Sequence, residues 1–203
     1  MRATEVSFKI NPPDISEVKR YMRAGEDSSE ALRIAVREQI EKISCAATPK
    51  ACFVRLPIAF CHDGVEIGNI RMQSESLKKR LLGCEFAYIF AATVGHEVDR
   101  IIRASSIKSG LLGLAADASG SAAVEEACDT LCRMFLESEK EDGYVTVTRF
   151  SCGYGDLSIE YQGDILDMLD AKKNIGVTLT LGGMMTPTKT VTAIVGVKKA
   201  DFQ

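Results

Sequence analysis

Arg149-Phe150-Ser151-Cys152-Gly153-Tyr154-Gly155-Asp156 lies between a strand-like run, Tyr144-Val145-Thr146-Val147-Thr148, and a helical stretch that begins near Tyr161. The octapeptide has no hydrophobic periodicity, so its pattern predicts a connection rather than an element. Gly153 and Gly155 bracket Tyr154, which lets the backbone take positive φ on either side and approach a bound molecule with no Cβ in the way. Arg149 brings rigid donors that match a carboxylate, and Tyr154 brings an aromatic face ending in a hydroxyl. That pairing suits a small molecule with an acid end and a flat or hydroxyl-rich end. The same residues also suit a tight strand-to-helix link, with Arg149 in a surface ion pair and Tyr154 closing the core.

Upstream of this loop, Ser109 to about Lys140 is the longest helical stretch, with Gly110, Gly113 and Gly120 expected to break or bend it. The small-residue run from Asp117 to Ala123 allows another element to come close to the helix backbone. Glu125, Glu126 and Asp129 are within reach of a ligand cation, although a solvated acidic face is the commoner reason for such a cluster. Downstream, Asp164 to Leu169 is amphipathic and Asn174-Ile175-Gly176 suits a left-handed cap. Val177 to Leu181 and Lys189 to Val197 read as two strands flanking a Met-rich tip, Gly182 to Pro187.

The spacing Arg-x-x-x-Gly-Tyr, a following helix, Ile175-Gly176-Val177-Thr178-Leu179-Thr180 and then Met185-Thr186-Pro187-Thr188-Lys189-Thr190-Val191-Thr192 resemble the activation domain of cobalamin-dependent methionine synthase. The likeness is strongest from about Ala115 to Val197. It implies an α+β fold: a curved, mostly antiparallel mixed sheet flanked by helices. It implies one domain over residues 1–203, in which 1–107 matches weakly and 108–200 supplies the long helix, the ligand loop and a C-terminal hairpin. It also implies S-adenosylmethionine as ligand, held by Arg149, Ser151, Cys152, Gly153, Tyr154 and Gly155, with the arginine and tyrosine in contact with it.

Cobalamin would come only through a partner, because no Asp-x-His-x-x-Gly motif is present in the chain. The expected partners are the cobalamin-binding modules of a methionine synthase or another corrinoid protein, with flavodoxin as a reductant. The chain would then be an accessory component that is not catalytic alone. It departs from the family where prolines are usual in the loop, at Phe150 and Cys152, and where an aromatic pair is usual on the last strand, at Val195 and Gly196. A ligand-free interaction module that kept the fold is the alternative. A small methyltransferase is disfavoured, because no Gly-rich loop follows an early strand.

The rest of the chain reads as strand (Val6 to Ile10), helix (Ser16 to Arg23) and a second helix from Ser28 or Ser29 that carries Ala31, Ile34, Ala35, Ile40, Ile43 and Ala47 mostly on one face. Ala51 to Leu56 and Val65 to Ile70 read as a hairpin about Cys61-His62-Asp63-Gly64, with Pro57 marking an edge or bulge. A basic helix spans Ser76 to Leu82. Cys84 to Ala92, nearly all apolar, is predicted to be a central strand. It runs through Thr93-Val94-Gly95 into a helix from His96 to Ser105, a turn that gathers backbone N–H groups but is more often a plain link.

A net charge of −3 with both signs interspersed gives no footprint for nucleic acid or an anionic membrane. The N-terminus has no signal-like apolar core, and Leu81 to Gly95 is too short for a span, so a cytoplasmic location is expected. Seven cysteines with no CxxC pair suit reduced thiols. Cys128 and Cys132 share a helix face, where core packing is the expected role rather than metal binding. His62 and His96 are expected at the surface or in caps.

Overall fold

The computed structural model describes residues 2–25 and 29–200. Ser28, one of the two candidate starts of the second helix, lies outside the described residues, and Ser29 caps that helix by accepting from Leu32 N–H. The elements run β1 (Thr4–Ser7), α1 (Ile15–Tyr21), α2 (Glu30–Ala46), β2 (Lys50–Cys61), β3 (Gly64–Ile67), β4 (Ile70–Gln73), α3 (Glu75–Arg80) and β5 (Phe86–Thr93). They continue with α4 (His96–Lys108), α5 (Gly110–Lys140), β6 (Tyr144–Thr146), α6 (Tyr161–Met168), α7 (Ala171–Ile175), β7 (Thr178–Leu179), β8 (Met185–Thr186) and β9 (Thr190–Lys199).

The main sheet has the order β4-β3-β2-β5-β9-β6, and β1 pairs with the first half of β2. Each strand pair among the described residues is antiparallel. This is the antiparallel α+β arrangement expected from the sequence. β5 lies between β2 and β9 and is buried along nearly its whole length. A strand covered on both faces has no polar side to show, which is why its sequence is a continuous apolar run.

Helices cover both faces of this sheet. On one, Val54, Leu56, Ile89 and Ile194 pack with Leu77 of α3, Ile165 of α6, Ile175 of α7 and the loop residues Cys152 and Leu157. On the other, Phe90, Val195 and Val197 meet Cys128, Leu131 and Phe135 of α5. Tyr88 stacks on Phe135 with ring centroids 4.0 Å apart, and Phe53 meets the same ring edge-on at 4.9 Å. The C-terminal turn of α5 is pinned to this face by a polar clamp: Arg55 donates to both oxygens of Glu139 at 2.7 and 3.0 Å, and the Tyr88 hydroxyl donates to one of them at 2.6 Å.

Four sequence expectations change. The run Val65 to Ile70 is two strands, because Gly68, at φ +63°, and Asn69 turn the chain into a tight β3-β4 hairpin. Val177–Leu181 does not pair with Lys189–Val197. β9 is almost wholly buried and joins the main sheet between β5 and β6, which leaves β7 to form a small separate hairpin with β8. The glycines of α5 do not interrupt it: a side chain at Gly113 would strike Ser106, and one at Gly120 would meet Ile102 and Lys189. They are contact points where α4 and the Lys189 stem cross the helix. On α2, Ile34 is exposed while Val36 and Gln39 are buried, so the core face is rotated from the expected one.

Candidate functional site

The segment after β6 follows the edge of β9. Val147 N–H donates to Gly196, and Phe150 and Ile194 exchange both backbone hydrogen bonds at 2.9 Å. An extended chain turns successive side chains to opposite faces, so Arg149 points toward α5 while Phe150 packs against the other core. There the chain leaves the sheet edge. Tyr154 N–H donates to the Ser151 carbonyl at 3.2 Å and Gly153 N–H to the Leu157 carbonyl at 2.9 Å, which folds residues 151–157 into a compact turn. Gly153 takes φ +87° and Gly155 φ +56°, the positive φ anticipated from their place beside Tyr154. The Tyr154 side chain is 67% exposed, so it does not close the core.

Arg149 pairs with Glu125 and Asp129 of α5, and its side chain is 22% exposed. Burial by itself opposes its charge, but the hydrogen bonds it donates to these carboxylates outweigh that and hold its pKa above the ordinary arginine value. Cys128 and Cys132 lie beside it, and burial pushes both thiols up. Cys128 is a core thiol of the α5 face. Cys152 is buried against the opposite face, its thiol pushed up to about 11 by burial, so it stays protonated at neutral pH. Ser151 is half-buried, and its carbonyl is engaged in the turn.

Two grooves meet at the outer side of Arg149. One, of about 550 Å³, runs between Thr146–Arg149 and the α5 residues Glu126, Asp129 and Arg133. The other, of about 300 Å³, is closed by the segment Asn11–Asp14, Glu17 of α1, Glu125 and Ala122. They share Asn11, Glu126 and Asp129. Around them stand five carboxylates (Asp14, Glu17, Glu125, Glu126 and Asp129) and two guanidiniums, Arg133 and Arg149. The balance favours a ligand of net positive charge that also carries an anionic end for the remaining arginine donors.

Of the six candidate residues, Arg149 alone lines the larger groove, and none lines the smaller. Gly153, Tyr154 and Gly155 form an exposed apex, and the side chain of Cys152 faces inward. Asn11, Asp14, Glu17 and Arg133 were not singled out. Asn11 Nδ2 reaches Glu126 at 3.3 Å across 115 positions of sequence, a contact without any local signal. At the turn before α4, Gly95 N–H donates to Thr93 Oγ1, and Asp99 in the first helical turn accepts from the Thr188 backbone and hydroxyl; Gly95 itself offers no side-chain cap. His62 and His96 are exposed.

A scan of the sequence against protein-family models finds no match, and neither does a search of curated proteins. The architecture does have a solved counterpart. The crystal structure of the MetH reactivation domain bound to AdoHcy superposes with a TM-score of 0.69 over 100% of this chain and 80% of that one, at 16% sequence identity. The fold is that of the MetH reactivation domain. The equivalence spans β1 to β9, including the N-terminal part, residues 1–107, where the sequence likeness is weak. The reactivation-domain aromatic pair expected at Val195 and Gly196 has no room here. Val195 is core, and a Cβ at Gly196 would lie 2.6 Å from Cys84 Sγ and 2.7 Å from Leu81 Cδ2. No described helix is long and apolar enough to cross a membrane.

Proposed function

We propose that this chain binds S-adenosylmethionine in the grooves beside Arg149 and supports the reductive remethylation of cobalamin carried by a separate methionine synthase or another corrinoid protein. The observation that carries this reading is the charge pattern around Arg149 within a reactivation-domain fold whose solved counterpart holds AdoHcy. S-adenosylmethionine is an amino acid with an added sulfonium, so it presents one carboxylate and two cationic centres. Arg149, although paired with Glu125 and Asp129, has donors left for the carboxylate. The surrounding acids favour the ammonium and the sulfonium.

The protein's part is to hold and orient the methyl donor, since proximity and alignment govern a transfer of this kind. The reduced cobalamin of the partner would be the methyl acceptor. A partner has a surface to meet: Tyr154 and Ile159 are exposed, and across Gln162, whose side chain holds the Gly183 carbonyl at 3.2 Å, so are Leu181 and Met184. Exposed apolar residues gathered at one place mark interaction surfaces.

A methionine synthase that lacks its own reactivation domain, inactivated by oxidation and supplied with S-adenosylmethionine and flavodoxin, is expected to regain methionine formation only when this chain is added. Equal recovery with and without it, using the cobalamin proteins of the same host, contradicts the partner role. A ligand-free interaction module is favoured by two observations, the occupied fork of Arg149 and the filled core at Val195 and Gly196. That reading requires that S-adenosylmethionine does not bind at all.

A further inference from the structure

We propose that Asp156 is the positioning residue of the 149–156 loop, holding Tyr154 and its flanking glycines in one conformation against the first turn of α3; its effect on ligand affinity rests on the ligand reading given above. The loop is fixed at its upstream end by the paired backbone bonds of Phe150 and Ile194. Its downstream half has no strand partner. Leu157 packs into the core, but its backbone hydrogen bonds, to Gly153 at 2.9 Å and Tyr154 at 3.0 Å, stay within the turn, and the Tyr154 side chain is exposed.

Asp156 ties this turn to a neighbouring element. Its carboxylate accepts from Ser74 Oγ at 2.5 Å, Glu75 N–H at 2.8 Å and Ser76 N–H at 3.1 Å. Gly155 is pressed onto the same turn, since a Cβ there would lie 2.8 Å from Ser76 Oγ. The Ser74 hydroxyl foremost, then the backbone donors, keep the Asp156 carboxyl well below the usual carboxylate range, so these are charge-assisted bonds at neutral pH.

The bonds also serve α3, whose first N–H groups need acceptors. Ser74 caps the same helix by accepting from Leu77 N–H at 3.0 Å, so α3 keeps a cap when Asp156 is changed. Loss of Asp156 therefore frees the loop more than it unfolds the helix. Arg149, at the head of this loop, lines the larger groove, and a residue held in place before the ligand arrives binds more tightly than one that must be ordered on binding.

The test compares the full chain with Asp156→Ala, Asp156→Asn and, as a control at a cap remote from the loop, Ser29→Ala. Hydrogen exchange is read at the amides of Gly153, Tyr154 and Leu157, and the Kd for S-adenosylmethionine is measured well below each Tm. In Asp156→Ala the loop amides are expected to exchange about tenfold faster or more, with β5 and β9 amides unchanged. The Kd is expected to rise by about three- to tenfold. Asp156→Asn, which keeps an acceptor, falls between in both readouts, and Ser29→Ala moves neither.

Unchanged loop exchange in Asp156→Ala overturns the proposal, and if that variant does not fold, the same comparison in Asp156→Asn decides. Faster loop exchange with an unaltered Kd overturns the link from loop order to affinity. If the wild type binds no S-adenosylmethionine while loop exchange still responds, the ligand reading fails and the positioning role of Asp156 stands.

Discussion

Arg55→Leu is expected to lower folding stability by about 1–3 kcal/mol at pH 7, the cost of leaving a buried acceptor without its partner. Glu139 is 5% exposed at its side chain, and without Arg55 its charge keeps only the Tyr88 hydroxyl. The pH dependence separates this cause from simple loss of packing. In the native protein burial would raise the Glu139 pKa, but the bonds from Arg55 and Tyr88 outweigh it and the net shift is downward.

A carboxyl depressed in the folded state binds fewer protons there than when unfolded, so its contribution is present above the unfolded value of about 4.3 and is lost as pH falls through the folded one. In Arg55→Leu the effect of burial dominates and the shift reverses, so the penalty is full above the raised value and fades as acid neutralises the group. Denaturant melts from pH 8 to pH 4 should show a wild-type advantage that is largest at neutral pH and narrows in acid. A gap independent of pH contradicts the account of the clamp.

Arg149→Ala is expected to weaken S-adenosylmethionine binding by about 1.5–3 kcal/mol, the range for a hydrogen bond to a charged group. In calorimetry that is a rise in Kd from about tenfold to somewhat over a hundredfold. Stability should fall by less than about 1 kcal/mol, because Glu125 and Asp129 are 39% and 57% exposed at their side chains and water replaces the lost partner. Unchanged affinity in a variant that still melts cooperatively removes Arg149 from the site.

Where a segment's role depends on its own pattern, the sequence was informative. The apolar run of β5 announced its central place, and the glycines around Tyr154 announced positive φ. Where the role depends on a partner far along the chain, it was not. Val177–Leu181 and Lys189–Val197 read as the two strands of one hairpin, and what separates them is the pairing of β9 with β5, far upstream in the chain. The glycines of α5 look like breaks because propensity takes no account of Ser106 and Lys189 lying against them. An ion pair at Arg149 was one of the readings its sequence offered, but that Glu125 and Asp129 are the partners depends on how the β6 edge meets α5. Asn11 and Asp156 act through contacts across tens of residues, and nothing next to them in sequence points there.

The central claim, that the acidic grooves beside Arg149 hold a cationic amino-acid sulfonium, is tested most directly by calorimetric titration of the chain with S-adenosylmethionine and with AdoHcy, at about 0.05 M and about 0.5 M salt. AdoHcy lacks the methyl group and with it the sulfonium charge. The account predicts saturable binding of both, tighter for S-adenosylmethionine, with that preference shrinking as salt screens the five carboxylates around the two grooves. Absence of binding by either molecule at either salt concentration contradicts it and leaves the reactivation-domain fold as an interaction module.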